Sequence, residues 1–181
     1  MKNLKTLGLS AIIAYSFWVV DIYSISFTNI ENSNVSISAY QGKKIMIMTL
    51  PIFRSHSNDS LLNTIDSIAG AYPTSLSVIC VPSFEDGFIE SNKESLKQWY
   101  RSFLRESIVI STGMYTRKAS GNLQHPLFRW LTNKEQNGNM NKDVEGIGSK
   151  FFIHTDGHLL AVFSERVKLG NKYVHQTLQV Q

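Results

Sequence analysis

A single cysteine, Cys80, is the whole thiol inventory of this 181-residue chain. That excludes an intramolecular disulfide and any Cys-x-x-Cys redox pair. The five histidines are dispersed, none at the spacing of a helical metal site or a zinc module, so no metal and no other cofactor is expected. Charge of one sign is also scarce: 18 Lys and Arg stand against 14 Asp and Glu, a formal +4. Lys43-Lys44, Arg117-Lys118 and Arg166 with Lys168 lie far apart, not crowded on one aromatic-laced basic face. Nucleic acid is therefore not expected as a partner. No hydrophobic run reaches the roughly 20 residues of a membrane span.

The longest such run, residues 7–20, follows Lys2 and Lys5 and stops at Asp21. Its length suits the core of a secretory signal, and Ala14-Tyr15-Ser16 offers a small-x-small cleavage site that would leave Phe17 first. The cut would spare Phe17-Trp18-Val19-Val20, so a retained membrane anchor and a buried first strand stay open. Residues 1–20 are assigned as signal peptide or anchor, residues 21–181 as one domain. An exported or membrane-anchored location is favoured over a cytoplasmic one, with membrane association through the N-terminus.

What is present is ordinary globular chain, 43% hydrophobic and 18% charged, long enough for a real core. Residues 22–30 and 35–38 alternate weakly around the turn Asn32-Ser33-Asn34 and predict an entry hairpin. Residues 45–50 are almost wholly apolar, as in a strand covered on both faces. Pro51 ends that strand. Ser57 or Asn58 is expected to cap a helix whose stripe is Leu61, Leu62, Ile65, Ile68, Ala69 and Tyr72, stopped at Pro73-Thr74. Residues 76–81 form a second apolar strand. Strand, helix, strand predicts a right-handed βαβ unit with parallel strands.

Ser91 to Glu94 matches a capping box ahead of a helix burying Leu96, Trp99, Tyr100, Phe103 and Leu104. Residues 107–110 read as a short strand or an extended link. His125-Pro126 starts a helix with proline at its first position. Residues 134–148 read as a loop. Lys150 to Phe163 reads as a hairpin around Asp156-Gly157, a type I′ signal, with His154 and His158 exposed beside the turn. Residues 165–181 permit one short helix. The class is α/β, a central mixed sheet flanked by helices with an N-terminal hairpin.

Several words carry a resemblance. They are Val35-Ser-Ile-Ser-Ala-Tyr-Gln-Gly-Lys43, Phe84, Ser91-Asn92-Lys-Glu94, His125-Pro-Leu-Phe-Arg-Trp-Leu131 and Lys150-Phe-Phe-Ile-His-Thr-Asp-Gly157. In this order and spacing, from about residue 21 to 163, they resemble the glutathione peroxidase family, whose fold is thioredoxin-like. The resemblance implies hydroperoxide reduction by a thiolate or selenolate, a response to oxidative stress, with a thiol reductant as partner. The family's nucleophile stands at the C-terminal end of the first βαβ strand, where a helix N-terminus favours the anion. Gln, Trp and Asn surround it.

Here the nucleophile's place falls in Pro51-Ile-Phe-Arg-Ser-His-Ser57, near Arg54, with no cysteine. The Gln place falls at Ser83, the Trp-Asn pair at Gly146-Ile147, and a resolving cysteine near Tyr100. No catalytic residue carries over. Arg54 has no lone pair to offer. It is read as a solvated loop side chain, or as an anion-binding arginine assisted by Ser55 and Ser57. His56 with Ser55 or Ser57 and Asp59 lacks the order of a hydrolase triad. The one redox candidate is Cys80, in an apolar run that reads as a buried small hydrophobe. Two functions follow: an inactive pseudo-peroxidase with a binding or structural role and a protein partner, or a weak thiol peroxidase or oxidoreductase acting through Cys80.

Overall fold

The structure, a computed structural model, describes residues 20–180. The signal or anchor expected over residues 1–20 lies outside them except for Val20, whose carbonyl accepts from Trp130 Nε1 at 2.7 Å.

The entry hairpin forms as β1 (Ser26–Thr28) and β2 (Asn34–Ser36), antiparallel, with Asn32 in the left-handed region at φ 64°. The apolar run becomes β3 (Lys44–Leu50), buried throughout. Helix α1 (His56–Ala71) connects it to β4 (Leu76–Pro82), and the two strands pair in parallel from Lys44↔Leu76 to Leu50↔Pro82. Helix α2 (Lys93–Arg101) leads to the two-residue β5 (Val109–Ile110), which pairs in parallel with β4. Helices α3 (Pro126–Thr132) and α4 (Lys134–Asn137) precede β6 (Lys150–Ile153) and β7 (Leu159–Phe163), both antiparallel, and α5 (Lys172–Gln179) follows. The five-stranded sheet has the order β5-β4-β3-β6-β7.

Alternation on the strands divides the core. Met46, Met48, Leu50, Val78, Cys80 and Phe152 pack with α1, α2 and α5. Ile45, Ile47, Ile79, Val81, Phe151 and Ile153 pack with α3 and the N-terminal segment. Both faces of the sheet are dry, which is why its central strands carry apolar residues at every position rather than every second one.

Local chemistry corrects four boundaries. The cap of α1 is Ser55, not Ser57 or Asn58: its Oγ accepts from the Asn58 amide at 3.2 Å. The Ser91–Glu94 capping box does not form. Residues 90–92 make a 3₁₀ turn instead, and Asn92 Oδ1 accepts from the Ile89 amide at 3.3 Å. Residues 134–137 are helical because Asn133 caps them, its side chain accepting from Glu135 N at 3.0 Å, and Gly138 ends them at φ 73°. His125 caps α3 with Nδ1 ahead of Pro126, as expected.

The β6–β7 turn is the fourth correction. Only Gly157 has positive φ, at 89°, so the turn is not type I′, which needs two such residues. The Gly157 amide donates to His154 O at 3.0 Å and the register slips by a residue after Phe152. Asp156 Oδ1 lies 3.1 Å from Nδ1 of both His154 and His158. His154 is thereby drawn in, and only His158 is exposed. A Cβ on Gly157 would sit 2.8 Å from Tyr23 Cε2, in a conformation that L residues avoid. Gly157→Ala is expected to lower unfolding free energy by about 1–2 kcal/mol, read from chemical denaturation.

Candidate functional site

The C-terminal edge of β3 meets the start of α1 at residues 51–55. Arg54 stands there, its side chain 67% exposed, with Nε donating to Asp59 Oδ2 at 3.2 Å and the guanidinium 5.8 Å from the Phe103 ring centroid. Asp59 Oδ1 accepts from Trp99 Nε1 at 2.8 Å. Ser55 is committed to the cap and shares a 3.1 Å contact with Ser57 Oγ. Asn58 Nδ2 donates to Phe53 O at 2.9 Å. Arg54 is thus held by Asp59 and Ser55 by the Asn58 amide and Ser57, so they do not converge on an anion, nor do His56, a serine and Asp59 form a relay.

Tyr100, where a resolving cysteine would fall, is buried and donates its hydroxyl to Pro51 O at 2.7 Å. Burial pushes its phenol well above the ordinary range, so this group is a fixed donor that clamps the loop.

Cys80 pairs in register with Met48 in the middle of the sheet. Its exposure is 0%, and burial pushes the thiol up to about 12. At pH 7 roughly one molecule in 10⁵ would carry the thiolate, against a few per cent for a free cysteine. The positive charge of Arg101 offsets that burial only partly.

Ser83, at the end of β4, is the residue at which the resemblance leads one to expect a Gln. It is buried and donates from Oγ to Glu85 Oε2 at 2.6 Å. Glu85 Oε1 accepts from the amides of Thr116 and Arg117, both at 2.9 Å, and from Ser120 Oγ at 2.6 Å. These donors outweigh partial burial and hold the carboxyl at about 2. Beside it Asp86 pairs with Arg117, and burial raises the Asp86 carboxyl. The cluster bolts the loop after β5 to the end of β4. Within it Asp86 Oδ2 and Arg117 Nε are buried without a hydrogen-bond partner.

Gly146-Ile147 are the residues at which the resemblance leads one to expect a Trp-Asn pair. Thr49 Oγ1 donates to Gly146 O at 2.8 Å, and Ser149 Oγ accepts from the Glu145 and Gly146 amides at 3.2 Å. Gly148 follows at φ 90°, where a Cβ would meet Met48 Cε at 3.7 Å and Glu165 Cα at 3.9 Å. Without large side chains here, an open cleft of about 950 Å³ remains between the first turns of α1, the start of β6 and residues 165–171. Met48, Leu61, Ile147, Val167 and Leu169 supply its apolar wall, Ser57, Ser60 and Asn171 its neutral polar wall.

Two charged residues in that cleft escaped the sequence reading. Lys150, 1% exposed, donates from Nζ to Gly148 O at 2.6 Å and Ser164 O at 3.0 Å, and burial lowers the amine to about 8 despite nearby Glu165. Glu165 Oε1 lies 3.4 Å from Arg166 Nε, while its Oε2 is buried and unpartnered. The signal for Lys150 was present: it shares the inward face of β6 with Phe152, two positions on. Nothing in the sequence marked Glu165.

Comparison with known proteins follows the same lines. No family model matches the chain, and no curated protein does. Among solved structures, T. cruzi GPX1 is similar at 13% identity and TM-score 0.62, over 87% of this chain and 94% of that one. A thioredoxin-like protein from Aeropyrum pernix is similar at 12% and 0.57, over 86% and 88%. The exposed lipoprotein thioredoxin Etrx1 of Streptococcus pneumoniae is similar at 20% and 0.55, over 86% and 97%. At these identities the likeness is one of fold: the chain has a thioredoxin-like α/β fold carrying an N-terminal antiparallel hairpin.

Proposed function

We propose that this chain is a glutathione-peroxidase-like member of the thioredoxin-fold oxidoreductases that has given up thiol peroxidase chemistry and serves a binding or structural role. One observation carries the reading: where the nucleophile would stand, Arg54 is ion-paired to Asp59, and the only sulfur of a cysteine is walled into the sheet. Peroxide attack needs a thiolate reachable from solvent, and an arginine supplies neither lone pair nor electrons. The Gln, Trp and Asn donors are absent as well, replaced by Ser83 and Gly146-Ile147.

The apolar segment before Asp21 supports export or membrane anchoring of this domain. Its similarity to the pneumococcal exposed lipoprotein thioredoxin is in keeping with that. Among the described residues no helix is long and apolar enough to cross a membrane.

The test uses the full-length chain with hydrogen peroxide and a lipid hydroperoxide, supplied with glutathione or thioredoxin. The expected result is no turnover above the uncatalysed rate, with intact-protein mass spectrometry after brief peroxide exposure showing an unmodified thiol. Rapid formation of a Cys80 sulfenic acid, with turnover abolished in Cys80→Ser, would overturn the proposal in favour of an oxidoreductase.

A further inference from the structure

Two Asn-x-Ser words stand in the chain, Asn34-Val35-Ser36 and Asn58-Asp59-Ser60. Each has the residue pattern of an asparagine-linked glycan acceptor, which has meaning only on the surface of an exported protein. The fold treats the two differently.

Asn34 and Ser36 stand two positions apart on β2, so their side chains share one face of the entry hairpin. Val35 points the other way and packs on the core. Across the ladder, Thr28 lies opposite Asn34 and Ser26 opposite Ser36, so this outer face is built of four small polar residues. Asn34, Thr28 and Ser26 are exposed, and no hydrogen bond holds the Asn34 side chain among the described residues. β2 pairs with β1 alone, in a sheet of two strands. A sugar on Asn34 Nδ2 therefore lies over small polar groups and displaces nothing packed.

Asn58 is half-buried in the first turn of α1. Its Nδ2 donates to Phe53 O at 2.9 Å and its backbone amide to Ser55 Oγ at 3.2 Å. A sugar joined to that Nδ2 would crowd the Phe53 carbonyl and pry the loop from the start of the helix.

We propose that Asn34 is a site of N-glycosylation and that Asn58 stays unmodified. This rests on the export of the domain and adds a covalent site to it. In the transfer, Asn34 Nδ2 attacks C1 of the first sugar of a lipid-diphosphate-linked oligosaccharide. The N–C1 bond forms as the bond from C1 to the diphosphate oxygen breaks. The departing lipid diphosphate keeps the bonding electrons, and Nδ2 gives up one proton. An oligosaccharide transferase of the secretory membrane catalyses the step. Ser36 Oγ, whose hydrogen bonds go only to Ser38 two residues on, is the hydroxyl that the enzyme reads. Once attached, the glycan shields the free edge of β2 from pairing with another chain.

The experiment is cell-free translation of the full chain with eukaryotic microsomes, read by gel mobility, by digestion with peptide N-glycosidase and by protection from added protease. The expected result is a protected chain carrying one glycan, seen as a single slower band that the glycosidase collapses. Asn34→Gln and Ser36→Ala should each abolish that band, while Ser36→Thr and Asn58→Gln should leave it. After the glycosidase, mass spectrometry should find aspartate at position 34 and asparagine at position 58. Ser36→Thr keeps the word while changing the side chain, so loss of the glycan in Ser36→Ala cannot come from mere disturbance of β2.

A protected chain without a glycan, with two glycans, or with one that survives Asn34→Gln and vanishes in Asn58→Gln would overturn the proposal and leave export standing. A chain open to protease would remove the export reading and this site with it. None of these results bears on Cys80, so the loss of peroxidase chemistry is tested separately by turnover.

Discussion

Glu85→Ala is expected to lower the unfolding free energy by about 3 kcal/mol at pH 7. The carboxylate takes the Thr116 and Arg117 amides and the Ser83 and Ser120 hydroxyls, so truncation leaves two backbone donors without partners, while Ser83 Oγ keeps a 3.2 Å contact with Thr116 Oγ1. An orphaned buried donor costs about 1–3 kcal/mol, and partial access of water at this site keeps the total near the lower end of that sum. The acid branch gives a second reading of the same bolt. The carboxyl titrates at about 2 in the folded protein against an ordinary 4.5. A depressed carboxyl contributes stability that is complete above the unfolded value and is lost as pH falls through the folded one. Chemical denaturation of wild type and Glu85→Ala should therefore converge between pH 4.5 and 2. Glu85→Gln keeps the shape but not the charge, and should show an intermediate loss with no convergence. A constant difference for Glu85→Ala across that window would mean that the carboxylate is not the group holding the loop.

Much of the frame was legible because burial leaves a periodic trace. Unbroken apolar runs at 45–50 and 76–81 read as strands covered on both sides, and the stripe from Leu61 to Tyr72 as a helix. The short elements were less legible, since caps compete among neighbouring serines and asparagines. Ser55 won α1 because it adopts extended backbone, φ −155°, one residue ahead of the first turn, a choice no spacing rule distinguishes from Ser57. The hairpin at Asp156-Gly157 was found, but the dipeptide does not by itself distinguish a turn with two positive-φ residues from this one, where only Gly157 has positive φ.

For the site, the sequence spoke through what was missing. A lone cysteine inside Val78-Ile-Cys-Val81 belongs in a core, and the structure places Cys80 there. The groups that now line the cleft were invisible for a different reason. Lys150 becomes unusual only when Gly148 and Ser164 carbonyls close over it, and Glu165 only when Oε2 loses water. Both are properties of segments meeting and not of any one of them.

The second large effect lies on the alkaline side, where two buried groups act with opposite signs. Lys150 titrates at about 8 when folded against 10.5 ordinarily. The unfolded chain then holds more protons between those values, so this lysine makes stability rise with pH across the window. Cys80 moves the other way: about 12 folded against 9.0 ordinarily, so the unfolded chain loses its proton first and stability falls as pH rises from 9. By pH 10 the lysine contributes a gain of about 2 kcal/mol after allowance for screening at the cleft mouth, and the thiol a loss of about 1.4 kcal/mol. Wild type should therefore change little between pH 7 and 10 on account of this pair. Cys80→Ala should gain stability over that range relative to its own value at pH 7, and Lys150→Met should lose it, the two slopes diverging by about 3 kcal/mol at pH 10. Parallel slopes in the two variants would show that neither group is held out of water as the fold places it. A flat Lys150→Met profile alone would put the thiol within reach of solvent, where the loss of peroxidase chemistry no longer follows.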